Sequence, residues 1–196
     1  MKLNTSNSYI LENDHVKLIP LQQDHFELLL PFSENEPNLW DYSLTPANGS
    51  ENLEKYLAAA LKKRSEGDSY PFLVFDKKTE KYAGSTRFYD IQKHHNTVQL
   101  GYTWYGKDFQ GTGLNKHCKF LLLEFAFETV GVERVEFRAD ALNQRSVAAM
   151  KSIGCTEEGI LRQNCASVKG RRDSIVFSIL KDEWFGGIRE QLRNKI

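Results

Sequence analysis

The sequence predicts an α/β chain in which meander and crossover segments share one sheet, and three observations carry that expectation. Three strand-like runs, Tyr70–Phe75, Tyr82–Ile91 and Val98–Tyr105, follow one another across the short polar links DKKTEK and QKHHNT, as in an antiparallel meander. Beyond Tyr105 apolar residues recur at helical spacing, and helices then alternate with strands. No internal repeat, low-complexity tract or Pro/Gly/Ser-rich linker interrupts the 196 residues, so a single domain over 1–196 is expected.

Each element has its own signal. His15–Leu21 (HVKLIPL) alternates apolar and polar residues and reads as a first strand. Gln22–Ser33 reads as a helix with Phe26, Leu29 and Leu30 on one stripe. The stretch SENEPNLWDYSLTPANGSEN is rich in Pro, Asn and Ser and is the least regular in the chain. Ser50 reads as the N-cap of a helix over Glu51–Glu66, with Leu53, Tyr56, Leu57, Ala60 and Leu61 at helical spacing and Gly67 closing it. After the meander, Leu114–Val130 places Leu114, Cys118, Leu121, Leu122, Phe125 and Ala126 on one helical stripe, ended by Gly131. Val132–Ala139 alternates as a strand, Asn143–Ile153 is a short helix stopped by Gly154, and Cys155–Gln163 is extended. Ser174–Leu180 (SIVFSIL) is the last strand, and Trp184–Ile196 reads as a terminal helix.

Composition narrows the function classes. Lys+Arg and Asp+Glu both number 26, so the formal net charge is zero and there is no basic surplus for nucleic acid. No run approaches ~18 apolar residues, so no membrane span is expected. The opening MKLNTSNSYILENDHV has no apolar core and does not read as a signal peptide. Cys118, Cys155 and Cys165 are odd in number and form no C-x-x-C pair, which fits neither a disulfide framework nor a zinc site. A reducing, cytoplasmic setting and no metal are the expectations.

The most informative stretch is YTWYGKDFQGTGLNKHCKFLLLEF. A strand ends at Tyr105, Gln110-Gly111-Thr112-Gly113 makes a tight turn, and a helix opens behind it. Glycines let backbone N–H groups turn outward at the positive end of a helix, which suits an anion such as pyrophosphate. Gly106 and Gly111 have the spacing of a P-loop, but Thr112 and Gly113 stand where its lysine and magnesium-binding hydroxyl belong. The dinucleotide fingerprint fails at its third glycine, which is Lys116 here.

A third pattern fits. The stretch Gln110-Gly111-Thr112-Gly113-Leu114-Asn115 resembles the Q/R-x-x-G-x-G/A signature of the GNAT N-acetyltransferases, departing only at Asn115. Asp140-Ala-Leu-Asn143-Gln-Arg-Ser146 with Ile153-Gly154-Cys155, Glu158-Gly159 and Arg162 resembles the family's next helix and its continuation, with Cys155 replacing an aromatic. The tail from Arg172-Asp173 through Ser178-Ile179-Leu180 to Glu183-Trp184 is similar as well, so the resemblance covers about residues 12–186. Within the family it points to the branch of ribosomal-protein N-terminal (alanine/serine) acetyltransferases.

The resemblance implies the acyl-CoA N-acyltransferase fold, a mixed, mostly antiparallel sheet of about seven strands flanked by helices. It implies acetyl-CoA as co-substrate, with its pyrophosphate on the amides of Gln110, Gly111, Thr112, Gly113, Leu114 and Asn115. Pantetheine would run between the fourth and fifth strands, with Asn143 beside it and backbone amides near Trp104 and Tyr105 facing the thioester carbonyl. A primary amine, of a protein N-terminus or a small molecule, would attack directly through a tetrahedral intermediate. The family's tyrosine acid falls at Met150, which has no proton to give, so Ser146 with Asn143 near is the replacement; Ser146 also reads as an ordinary helix-N-terminal serine.

The base stays open. The family's strand glutamate falls at Gln99, while Asp90, His94, His95 and Asp140 lie near. Trp40 and Tyr42, with Glu34, Glu36 and Asp41, are placed either to receive a cationic amine or to form a satellite apolar cluster. Cys118 lies on an apolar stripe and reads as core, and Lys169–Arg172 (KGRR) reads as a solvated turn. A homodimer through the tail and a non-catalytic acyl-CoA-binding module, which Met150 and Gln99 would suit, are the open alternatives.

Overall fold

The computed structural model describes residues 1–196 and shows one sheet of eight strands. These are β1 (Leu11–Glu12), β2 (Val16–Pro20), β3 (Ser69–Asp76), β4 (Lys81–Gln92), β5 (Thr97–Tyr105), β6 (Arg134–Asp140), β7 (Thr156–Ser167) and β8 (Gly170–Leu180). Their order across the sheet is β1-β2-β3-β4-β5-β6-β8-β7. Every neighbouring pair is antiparallel except β5–β6, which is parallel because a helical crossover separates the two strands in sequence. The strand beyond the expected seven is β1, whose two residues are too short to show alternation.

Four helices matter for the site: α1 (Phe26–Asn35), α2 (Ser50–Ser65), α3 (Leu114–Glu124) and α4 (Gln144–Ser152). A 3-10 turn, Gln23–His25, replaces the expected first turn of α1, and another, Pro37–Trp40, orders part of the irregular stretch. Ser50 is not an N-cap. The Leu53 amide donates to Gly49 O and the Gly49 amide donates to Ser33 O, so Gly49 is the N-cap and the helix starts one residue early. Phe125–Val130 continues α3 in π-helical turns up to Gly131. The terminal helix is broken: Lys181–Glu183, a π turn over Trp184–Ile188 with Gly187 at φ 145, then Arg189–Arg193.

Alternation on the strands sorts side chains into two cores. Phe72 and Val74 face the larger one with Leu122, Phe137 and Phe177, beneath α3. Leu73 faces the smaller one with Leu29, Tyr56 and Leu57, beneath α1 and α2. Cys118 is fully buried in the larger core, as its stripe position predicts. Trp184 and Leu192 of the tail pack inside this same chain.

Two irregularities shape the centre of the sheet. The register between β4 and β5 shifts between Ser85 and Arg87, with Tyr102 at φ 49 as the extra residue on β5. Such a bulge bends its strand and increases its twist. At the same place β4 must approach β5 closely: a Cβ on Gly84, at φ 151, would lie 2.1 Å from Trp104 O. Gly84→Ala should therefore cost about 3 kcal/mol or more of unfolding free energy, read by urea denaturation, because neither partner backbone has room to shift.

Candidate active site

The parallel ladder between β5 and β6 is short. Only Thr97–Gln99 pair with Arg134–Glu136, although β5 stays on β4 to Tyr105 and β6 stays on β8 to Asp140. Beyond Gln99 the two strands part, and their facing edges have no strand between them. A cleft of about 1,140 Å³ opens there. It passes through the sheet: Lys119, Phe137 and Met150 line it on the larger core's side, and Trp40, Tyr56 and Arg172 on the other.

At one mouth the chain leaves β5 through a 3-10 turn, Lys107–Phe109, and enters the glycine turn. Gly111 and Gly113 have φ of 76 and 95, and open space lies where their side chains would be. The amides of Gly111 to Asn115 donate to no backbone carbonyl; Leu114 N makes only a 3.4 Å contact with Thr112 Oγ1. They sit at the positive end of α3. Gln110 departs from the expectation, because its amide donates to Lys107 O. Its side chain instead donates to Tyr105 O at 2.8 Å and accepts from Arg145, tying the end of β5 to the first turn of α4. Leu114 is anchored in the core and the Thr112 hydroxyl donates to Phe109 O, so these two offer only their amides. The Tyr105 hydroxyl lies 3.3 Å from Asn115 Oδ1, and burial pushes this phenol well above its ordinary pKa.

Asn143 is the N-cap of α4: its Oδ1 accepts the Ser146 amide at 3.1 Å. Ser146 lines the cleft, and its hydroxyl makes no hydrogen bond within the protein. Met150, also on the wall, is buried. The base candidates separate. Asp90 lines the cleft, with one oxygen accepting from Gln92 at 2.6 Å and the other from Gln99 at 2.7 Å. Asp140 lines it too and accepts the Leu142 amide at 2.9 Å. His94 and His95 stand exposed in the β4–β5 turn, outside the cleft.

Of the two readings open for Trp40, the satellite apolar cluster is the one that forms. Trp40 is buried at 4.9 Å from the Trp104 ring, in the smaller core. Glu36 accepts the Lys107 amide at 2.7 Å, Asp41 lies 3.6 Å from Lys169, and Glu34 is exposed. Tyr42 remains on the cleft wall, with Lys169 Nζ 4.7 Å from its ring centre. The KGRR turn is also corrected, because Arg171 and Arg172 belong to β8 and Arg172 is buried. Burial pushes the Cys118 and Cys155 thiols up to about 12, so neither is a thiolate nucleophile at neutral pH.

Sequence reasoning missed Lys119. It is only 6% exposed, lines the cleft, and donates to Thr103 Oγ1 at 2.8 Å with no carboxylate partner. Burial lowers its pKa to about 8. The available signal was its place as the one charge within the run Cys118–Leu123.

Comparison with known proteins agrees with this geometry. The family model described as "Acetyltransferase (GNAT) domain" matches residues 15–156. The chain is 28% identical to "Uncharacterized N-acetyltransferase p20" of Bacillus licheniformis over 62% of its own length and 67% of that protein. It is 30% identical to "Putative ribosomal N-acetyltransferase YdaF" of Bacillus subtilis over 53% of its length and 56% of that protein. A crystal structure of a GCN5-related N-acetyltransferase from Brucella melitensis superposes with a TM-score of 0.88, at 26% identity, over 99% of this chain and 86% of the other.

Lys119 yields a pH-dependent prediction. Its pKa is about 8 in the folded chain against an ordinary 10.5, so between those values the unfolded chain binds more protons and stability rises with pH. Below 8 the penalty for burying the charge is complete. Lys119→Met should be the more stable protein at pH 7, by up to about 3 kcal/mol in urea unfolding. That difference should shrink steadily from pH 8 to 10.5.

Proposed function

Because the chain belongs to the GNAT acetyltransferase family, we propose that it transfers the acetyl group of acetyl-CoA to a primary amine. The single observation that carries the reading is the run of amides from Gly111 to Asn115, free of backbone partners, at the mouth of the β5–β6 cleft. Those amides, at the positive end of α3, suit the pyrophosphate of CoA. The freed edges of β5 and β6 offer backbone donors and acceptors to the extended pantetheine amides, much as they would to a strand.

Backbone amides near Trp104 and Tyr105 are our candidates to meet the thioester oxygen, where negative charge grows as the amine attacks. The amine nitrogen forms the new C–N bond, the C–S bond breaks, and the leaving sulfur takes up a proton. Ser146 is our candidate donor, because it lines the cleft and its hydroxyl has no partner within the protein. Asn143 itself is a positioning residue, holding the first turn of α4 against the cleft. Asp90 and Asp140 are the carboxylates within the cleft able to relay the proton of the amine through water. YdaF's name makes a protein N-terminus a first acceptor to try.

The second reading, an acyl-CoA-binding module without activity, is favoured by Met150 and Gln99 standing where a donor and an acceptor of protons would serve. Two variants separate them. Gly113→Glu should abolish acetyl-CoA binding in calorimetric titration, since the new carboxylate strains the turn at φ 95 and repels phosphate. Binding that survives this change would remove the site assignment. Ser146→Ala should bind acetyl-CoA normally and lose roughly 10²–10⁴-fold in turnover. Unchanged turnover would take Ser146 out of the mechanism, and no turnover in the parent protein would favour the binding module.

A further inference from the structure

The acceptor half of the cleft carries a buried cation that no protein group answers. Arg172, only 7% exposed, lines the cleft, and its Nε has no hydrogen-bond partner. Alternation along β8 sets it with Ser174 and Val176, on the face opposite the core residues Ile175 and Phe177. It lies just past the end of β6, where Asp140 pairs with Ser174 and the splay is widest. Asp140 shares its face and the cleft, accepts the Leu142 amide with one oxygen and makes no hydrogen bond or ion pair with Arg172, while other carboxylates of this region are committed elsewhere. Glu136 holds Arg134 at 2.8 Å and Arg138 at 2.7 Å, Asp173 accepts the Gln163 amide at 2.7 Å, and Asp90 is held by Gln92 and Gln99.

A second buried arginine adds to the same field. Arg87 is stacked between Tyr56 at 4.7 Å and Tyr102 at 4.1 Å, and its Nε also lacks a partner. Tyr102 meets Tyr89 edge-to-face at 5.0 Å, so these rings form a continuous wall between Arg87 and the cleft. A guanidinium stays charged at any physiological pH, and burying it unpaired is unfavourable. Its planar fork matches carboxylate and phosphate oxygens and gains most where water is excluded.

We propose that Arg172 binds an anionic group, a carboxylate or a phosphate, on the acceptor, so that the enzyme selects amines that also carry negative charge. The inference rests on the acetyltransfer reading above and names the substrate class for that site. It is the opposite in sign of a cation-receiving pocket around Trp40 and Tyr42, one of the two alternatives open from the sequence. The anion has two possible sources, a small amino acid or amino phosphate and an acidic residue at the start of a peptide.

The test uses the full chain, as parent and as Arg172→Met, with matched acceptors. One arm compares free amino acids and phosphoethanolamine with their uncharged counterparts, the carboxamides and ethanolamine. The other compares peptide amides beginning Ala-Asp or Ala-Glu with those beginning Ala-Asn or Ala-Gln. The parent should favour the anionic member of one arm by about 10–100-fold in kcat/KM, expressed in KM, as expected for a charged hydrogen bond. The arm that responds identifies the source. Arg172→Met should reduce the preference to a few-fold, leave the KM for acetyl-CoA unchanged, and raise the Tm by a few degrees because an unpaired buried charge is gone.

Equal use of both members by the parent, or a preference that persists in Arg172→Met, overturns the proposal. A fall in Tm would overturn it too, since that is what a purely structural arginine does. Should no acceptor in the panel be acetylated, succinate and inorganic phosphate are titrated against Tm with CoA present. A saturable rise in the parent that Arg172→Met lacks supports the site, and equal responses overturn it. Loss of acetyl-CoA binding in the parent protein would instead sink the acetyltransfer reading itself.

Discussion

Everything at the site depends on two strands failing to stay together. β5 and β6 are held by three residue pairs and then part, while each keeps its ladder with its outer neighbour. A buried strand edge without a partner is costly, because its amides and carbonyls lose water and gain nothing. Here the edge borders an open cleft, where solvent can reach the backbone groups and lower that penalty. The bulge at Tyr102 and the close approach at Gly84 bend β5 at this point. The opening is therefore built into the backbone and needs no loop to move.

The cleft has two chemically distinct ends because alternation sorts side chains between the faces of the sheet. One end presents amides at the start of α3, near the first turn of α4, with the Gln110–Arg145 contact spanning the gap. The other presents aromatic rings and Arg172 on the side of the smaller core, with Arg87 behind Tyr56 and Tyr102. A direct transfer between two bound molecules needs this arrangement, since the reacting atoms must meet at the midpoint from opposite sides. The net charge of zero conceals it. Around this site three buried cations, Lys119, Arg87 and Arg172, lack a carboxylate partner, while the cleft's own carboxylates, Asp90 and Asp140, accept from Gln92, Gln99 and the Leu142 amide.

Much of this was legible in the sequence. The meander, the glycine turn, the helix behind it and the apolar stripe with Cys118 all follow from period and local turn chemistry, which act over a few residues. Helix starts were less legible. Ser50 looked like a cap, yet a long-range bond from the Gly49 amide to Ser33 set the boundary one residue earlier. At α4 the reverse held: Asn143 was read as a site residue and serves as the cap, accepting the Ser146 amide. The Gln110 amide went to Lys107 for a similar reason, because the preceding 3-10 turn needed it.

The sequence by itself determined the fold class, the order of elements, the family resemblance and the glycine turn, since each is written in local spacing. Only the tertiary structure decided what surrounds each charge. Lys119, Arg87 and Arg172 sit far apart in the chain; only the apolar run around Lys119 hints locally at burial, and nothing local says that no carboxylate meets any of the three. Equally, Glu36 and Asp41 were engaged by Lys107 and Lys169 from distant segments. The energy of a charge depends on its desolvation and its partners, and both are properties of the packed chain.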